Sequence, residues 1–229
     1  MLDPSELQIL QLALTISAWV VVVSWIPGVL VAWCLARWQS RWRVVLHGLV
    51  LLPLVLPPVV TGYGLLHLLG RSSWLGETWF AWTGMHLAYT TAAAVIAAAV
   101  VGFPLLVESI RLSMTAVDPR LEWISRSLGW SRWQTFLRVL LPLSAPGVLA
   151  GMSLAFARSL GEFGATIVLA GNIEGETRQI PLAVYTLMNQ PGHEAAVWRL
   201  CGLSVLLALG SLAVTGWLRQ RAQRRAGTS

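Results

Sequence analysis

Residues 10–35 read LQLALTISAWVVVVSWIPGVLVAWCL, without one charged side chain. About 20 apolar residues in a helix cross a ~30 Å hydrocarbon core, so this stretch alone predicts a membrane span. The same scan finds four more candidates, at 44–69, 87–107, 147–170 and 200–218. The whole chain agrees. Of its 229 residues, 56% are hydrophobic and 11% charged, where a soluble domain carries roughly a quarter charged residues. Mean hydropathy is +0.67. A chain this short and apolar cannot cover a water-facing surface, which excludes an ordinary soluble enzyme. The 13 Trp also suit a protein of the lipid–water interface. The expected fold is all-α, a polytopic bundle of about five spans in one domain over 1–229, with no N-terminal processing pattern, internal repeat or low-complexity segment.

The balance of 16 basic against 10 acidic residues, with a pI near 10.6, raises nucleic-acid binding as a reading. Every cation is Arg, and Lys is absent. No P-loop lysine, Schiff-base lysine or Ser–Lys dyad can exist here, so if ATP drives this protein another chain must bind it. The arginines are also sorted by side. Arg37, Arg41 and Arg43 lie between the first two spans, five lie between 111 and 138, and four follow the last span. Only Arg71, Arg178 and Arg199 fall on the other side, and Arg158 is inside a span. Cationic loops stay cytoplasmic, which predicts the N-terminus outside and the C-terminus in the cytoplasm. The positive charge is therefore topological, and no nucleic-acid partner is expected. Cys34 and Cys201 sit in apolar runs and read as small core hydrophobes.

Several spans are interrupted. Pro27-Gly28 sits in the first and Pro104 in the third, while the second carries Pro53, Pro57 and Pro58, then Gly62 and Gly64. A proline removes a backbone donor and clashes with the preceding turn, so the second span must bend or unwind. Freed carbonyls are tolerated at membrane depth only against protein or a water-filled cavity. Pro57 and Pro58 therefore mark either a packing kink or a pathway-lining helix. Between the last two spans, residues 171–198 are too polar to cross. Within them Ile180-Pro181 opens, and Pro191-Gly192 closes, a helix of about ten residues, ~15 Å long, predicted at the outer face or as a re-entrant element.

The loop 111–142 is the most organised polar segment. Asp118-Pro119 reads as an N-cap followed by Pro at the first helical position. Val117, Leu121, Ile124 and Leu128 follow on one helical face, and Gly129 supplies a left-handed stop. Ser131 to Gln134 has capping-box form and opens a second helix that ends by Pro142 and feeds the fourth span. Such an amphipathic helix can lie on the membrane, cover its own bundle or fit a groove on a partner.

Glu122 through Gly129 and on to Val139-Leu140-Leu141-Pro142 resembles the signature loop of ABC-importer permeases. The chain departs from it at Trp123, Ile124 and Ser125, where that family has alanines. The stretch 156–166, the segment 172–178 with Ile180-Pro181-Leu182, and the proline-rich 52–64 resemble the molybdate-transporter permeases in particular; 158–166 also resembles sulfate permeases. The resemblance implies an inner-membrane subunit of a bacterial ATP-driven importer for molybdate, or tungstate. It implies a homodimer of this chain, two cassette ATPase subunits on the cytoplasmic face and a periplasmic oxyanion-binding protein. Leu121, Glu122, Ile124, Ser125, Leu128 and Gly129 would couple to the ATPase. Rival readings are a sulfate or thiosulfate permease and a stand-alone secondary anion transporter.

Arg158 and Glu162 fall in the fourth span, four apart, on one helical face where they can pair. Each is costly in lipid, at about 2.5–3.5 kcal/mol on insertion scales, so neither should face it. They either fix packing or, with Pro57 and Pro58, line or gate the path of a dianion. His47, His67, His86 and His193 have no ligand spacing, so no metal or cofactor is expected, and no carboxylate dyad suggests catalysis.

Overall fold

The computed structural model describes residues 3–226. Among them the regular structure is helical throughout. Three helices carry the unbroken apolar length of a span: α1 (Pro4–Arg37), α5 (Thr91–Ala116) and α12 (Glu194–Ala226), the last over its stretch Glu194–Val214. Between α1 and α5 come α2 (Trp42–Val55), α3 (Pro58–Leu69) and α4 (Trp74–Thr83). Between α5 and α12 come α6 (Pro119–Ser127), α7 (Arg132–Thr135), a π-helical turn (Phe136–Leu140), α8 (Leu141–Leu143), α9 (Ala145–Leu160), α10 (Gly164–Leu169) and α11 (Ile180–Met188).

Helix α5 is the axis around which α1 and α9 pack. Its buried face is mostly alanine, from Ala93 to Ala98, with Val101, Leu106, Val107, Ile110 and Met114 below. Small residues let helices approach where lipid supplies no hydrophobic drive. A Cβ added to Gly151 would stand 2.8 Å from the Leu106 carbonyl oxygen, and one on Gly147 2.1 Å from the Ser113 Cβ. The Ser109 hydroxyl donates to the Gly147 carbonyl across that contact, at 3.0 Å. At one end of the bundle Arg199 of α12 grips Glu6 of α1 at 2.7 Å, where Glu6 also accepts from the Asp3 backbone N–H. Near the other end Glu108 takes both Arg111, at 2.8 Å, and His47.

Two of the expected spans are not straight crossings. The stretch 44–69 is α2 and α3, bent by 113°. The sequence Leu56-Pro57-Pro58 explains the break: Pro57 cannot donate, and Pro58 begins the next helix where its missing N–H is harmless. The stretch 147–170 is corrected more sharply. Helix α9 stops at Leu160, residues 161–163 are non-helical, and α10 restarts at Gly164. With 16 residues, about 24 Å, α9 is shorter than a ~30 Å core. It is preceded by the segment Arg132–Leu143 at an angle of 71°. So Arg158 and Glu162 do not share one helix face; Arg158 is helical and Glu162 lies in the break.

Of the expected loop 111–142, residues 111–116 extend α5, and the second helix is a single α turn, α7, followed by a π-helical turn; the caps form where the residues specify them. Asp118 caps α6 by accepting from the Arg120 N–H at 2.9 Å, and Gly129 has φ +90°. Ser131 accepts from the Gln134 N–H, while the Gln134 side chain takes the Ser131 N–H. The helix in 171–198 is α11, and α4 is an element the sequence reading missed. Its local signals are Ser73, Glu77 and Gly84: the Ser73 hydroxyl accepts from the Gly76 N–H, Glu77 is an acid in the first turn, and Gly84 has φ +73°. The four C-terminal arginine side chains and the chain ends at 1–2 and 227–229 lie outside the described residues.

Candidate functional site

The two helix breaks meet. A Cβ on Gly164, the first residue of α10, would lie 2.9 Å from the Pro58 Cβ and 3.1 Å from the Val59 nitrogen, at the start of α3. One turn on, a Cβ on Gly62 would lie 2.7 Å from the Ala165 Cα. Both positions need glycine because backbone meets backbone. The N-terminal ends of α3 and α10 are thus pressed together.

Glu162 sits beside this crossing with a side chain 1% exposed. Its two oxygens do different things. Oε1 accepts from the Ala165 N–H at 2.9 Å, which caps α10. Oε2 stands 2.8 Å from Nη1 of Arg158, whose side chain is 28% exposed. The carboxylate is held by a hydrogen bond at the start of α10 and by the nearby guanidinium charge; the Oε2 contact is an ion pair by distance and makes no hydrogen bond among the described residues. The structure therefore brings Arg158 and Glu162 together. Pro58 belongs to the same contact, whereas Pro57 is exposed at the bend. The hydroxyls of Thr61 on α3 and Thr166 on α10 are buried, without a hydrogen-bond partner among the described residues. Sequence reasoning passed over both, since a lone Thr in an apolar run carries no signal.

The far side of α3 is open. Val59, Val60 and Tyr63 are half or more exposed, with Tyr63 at 66%.

The second constellation is α6. Its polarity is inverted relative to a helix that covers its own bundle. Leu121, Ile124 and Leu128 are exposed, Leu128 at 74%, and only Val117 of the stripe is buried. The inward residues are polar. Ser125 is buried with its hydroxyl 3.0 Å from that of Thr135. Glu122 takes Arg37 of α1, with Nε at 2.6 Å and Nη2 at 2.5 Å, and Arg37 donates also to the Met114 carbonyl at 3.0 Å. Arg37 is a residue the sequence reading counted only as topology. Beside it, Trp33 of α1 packs on Phe136 and Trp133, at 4.5 and 5.9 Å between ring centres. The outcome is that α6 is bolted to α1 and α7 through its polar side, with Arg37 itself tied to α5, and presents its apolar side outward. Gly129, just beyond, has nothing within 4 Å of a would-be Cβ.

Three or more His, Cys, Asp or Glu side chains do not converge as a metal site among the described residues.

A helical bundle with two broken elements and an outward apolar helix on a long polar loop is the arrangement of a transport subunit. The chain belongs to the family described as binding-protein-dependent transport system inner membrane component, which matches residues 28–224. It is thereby an integral inner-membrane protein, a component of a transport system and not itself an enzyme. Among curated proteins it is 47% identical to the molybdenum transport system permease protein ModB of Escherichia coli (strain K12), over 98% of each chain. It is 36% identical to the sulfate transport system permease protein CysT of the same organism, over 74% of this chain and 61% of that one. Among solved structures it resembles the MetNI methionine ABC transporter in an inward-facing form, with a TM-score of 0.74 over 97% of this chain and 99% of that one. At 14% identity that likeness speaks to fold alone.

Proposed function

We propose that this chain is the multi-pass permease subunit of an ATP-driven molybdate importer. The observation that carries the coupling part is the inverted polarity of α6. Burying a Leu or Ile side chain is worth about 1.5–3 kcal/mol, so a helix that leaves Leu121, Ile124 and Leu128 in water is held for a partner. An apolar helix face read at such spacing fits a groove on another protein. That partner is the cassette ATPase, which supplies the nucleotide chemistry a lysine-free chain lacks. Gly129 sets the exit angle of the helix, and the Arg37–Glu122 pair transmits its movement to α1.

Two copies of the chain enclose the pathway, with the open face of α3 turned toward it. The α3–α10 crossing is the element that moves as the pathway alternates between outward and inward access. A dianion needs a route free of uncompensated negative charge, and Arg158 neutralises Glu162 beside that route. The anion arrives from a periplasmic binding protein at the end that holds α11, and the loop 111–142 lies in the cytoplasm, as the arginine distribution indicates. Molybdate is favoured over sulfate by the higher identity and fuller coverage of the molybdenum-transport relative. The test is copurification in mild detergent with the cassette ATPase. Retention by wild type, and its loss when Leu121, Ile124 and Leu128 are changed together to Ser, supports the docking role. Retention by that triple variant sinks it and leaves α6 as a membrane-surface helix.

A further inference from the structure

Between the end of α1, the start of α2 and helix α6 lies a cleft of about 810 Å³, inside the ~300–1,000 Å³ range of pockets that hold small ligands. Arg37, Arg43, Arg126 and Arg132 line it, against the single carboxylate of Glu122. Arg37 and Glu122 neutralise each other. Among the described residues, none of Arg43, Arg126 and Arg132 has a carboxylate within ion-pair distance. Three uncompensated cations thus share one cleft, which favours an anion between them. The walls are aromatic: Trp33 from α1, Trp38 just beyond its end, and Trp123 from α6. Indole rings of this kind sit at the headgroup level of a bilayer. The position agrees, because α1 is an apolar span up to Arg37 and the cleft opens where the span gives way to polar loop.

We infer that this cleft binds the phosphate diester of an anionic phospholipid. Arg43, Arg126 and Arg132 hold the phosphate, and the tryptophans flank the glycerol and first acyl carbons. Basic pockets between membrane helices on the cytoplasmic side take such headgroups. The site is separate from the ATPase-docking stripe. At 100° per residue, Glu122 and Arg126 lie on a different flank of α6 from Leu121, Ile124 and Leu128. The inference rests on the membrane placement of the bundle and not on its substrate. The lipid ties α6 to the headgroup layer and so fixes the level at which the docking stripe stands.

The experiment uses the assembled transporter with its ATPase, in nanodiscs of phosphatidylcholine containing a photoreactive phosphatidylglycerol. Wild type is expected to crosslink the lipid to the peptide that holds Trp123 and Arg126, and to keep phosphatidylglycerol but not phosphatidylcholine in native mass spectra after detergent extraction. The variant R43Q/R126Q/R132Q should lower occupancy about a hundredfold, the equivalent of about 3 kcal/mol for three cations near an anionic headgroup. Copurified ATPase reports whether that variant assembles. If it does not, Arg43→Gln alone, which lies outside α6 and the loop after it, must still lower occupancy. Equal retention by the variants, or equal retention of phosphatidylcholine, overturns the proposal. Displacement of the lipid by inorganic phosphate alone overturns it too, by making the cleft a site for the free anion.

Discussion

Replacing Arg158 by Ala leaves Glu162 Oε2 buried with no cation beside it, while Oε1 still caps α10. Breaking a buried pair by removing one partner costs about 3–5 kcal/mol. Arg158→Ala is therefore expected to lose molybdate uptake or membrane abundance. The geometry ranks the second-site rescues. In Arg158→Ala with Glu162→Gln the carboxylate is gone but an amide oxygen still accepts from the Ala165 N–H. In Arg158→Ala with Glu162→Ala the cap is lost as well, at about 0.5–2 kcal/mol. Uptake corrected for membrane abundance should recover further in the Gln double variant than in the Ala one. Equal recovery would mean that the cap on α10 does not matter, and full uptake by Arg158→Ala alone would remove the pair from both packing and passage. That the two residues pair was readable from their spacing. That they pair across a break was not, because Phe163 to Ala170 continues the apolar run and hydropathy does not register a change of helix. Gly161 and Gly164, which bracket Glu162, are the local residues that accompany the break.

At the scale of elements, Gly129 and Gly62 give opposite kinds of failure. Gly129 has φ +90° and open space around it, so a side chain there meets strain and no clash. Gly129→Val should cost about 1–3 kcal/mol of backbone strain and misaim α6. The expected phenotype is inserted protein in which ATP hydrolysis no longer responds to the loaded binding protein; Gly129→Asn, which tolerates positive φ, should keep most of the response. Normal stimulation of hydrolysis in Gly129→Val would deny a coupling role to the turn. At Gly62 the obstacle is steric. Gly62→Val drives a side chain into the α10 backbone, and α3 must separate from α10 or shift. Reduced molybdate uptake with unchanged ATPase copurification is the expected result, and unimpaired uptake would show that the crossing is not near the path. The caps of α6 and α7 were legible because Asp, Ser, Gln and Gly act locally, within one turn. Helix α4 was missed because its ten residues are too short to fill a span, although Leu75, Trp79 and Trp82 do repeat at helical spacing. The inward set of α6 was hidden for another reason: Glu122 meets Arg37, 85 residues away, and no local pattern reports that.

For the whole molecule, the arginine distribution predicts which end of the bundle faces the cytoplasm. With Cys34 and Cys201 replaced, a cysteine at Ser127 should label only from inside, and one at Gly175 only from outside; both sites are exposed. Periplasmic labelling of position 127 in sealed cells would invert the topology and detach α6 from any ATPase. The transport claim itself is tested most directly by uptake of radiolabelled molybdate, in cells stripped of other molybdate and sulfate importers, with this chain expressed beside its ATPase and binding protein. The account predicts uptake that requires this chain and an intact ATPase, and that excess sulfate inhibits far less than excess unlabelled molybdate. Uptake that continues without the ATPase, or that sulfate and molybdate inhibit equally, would contradict it.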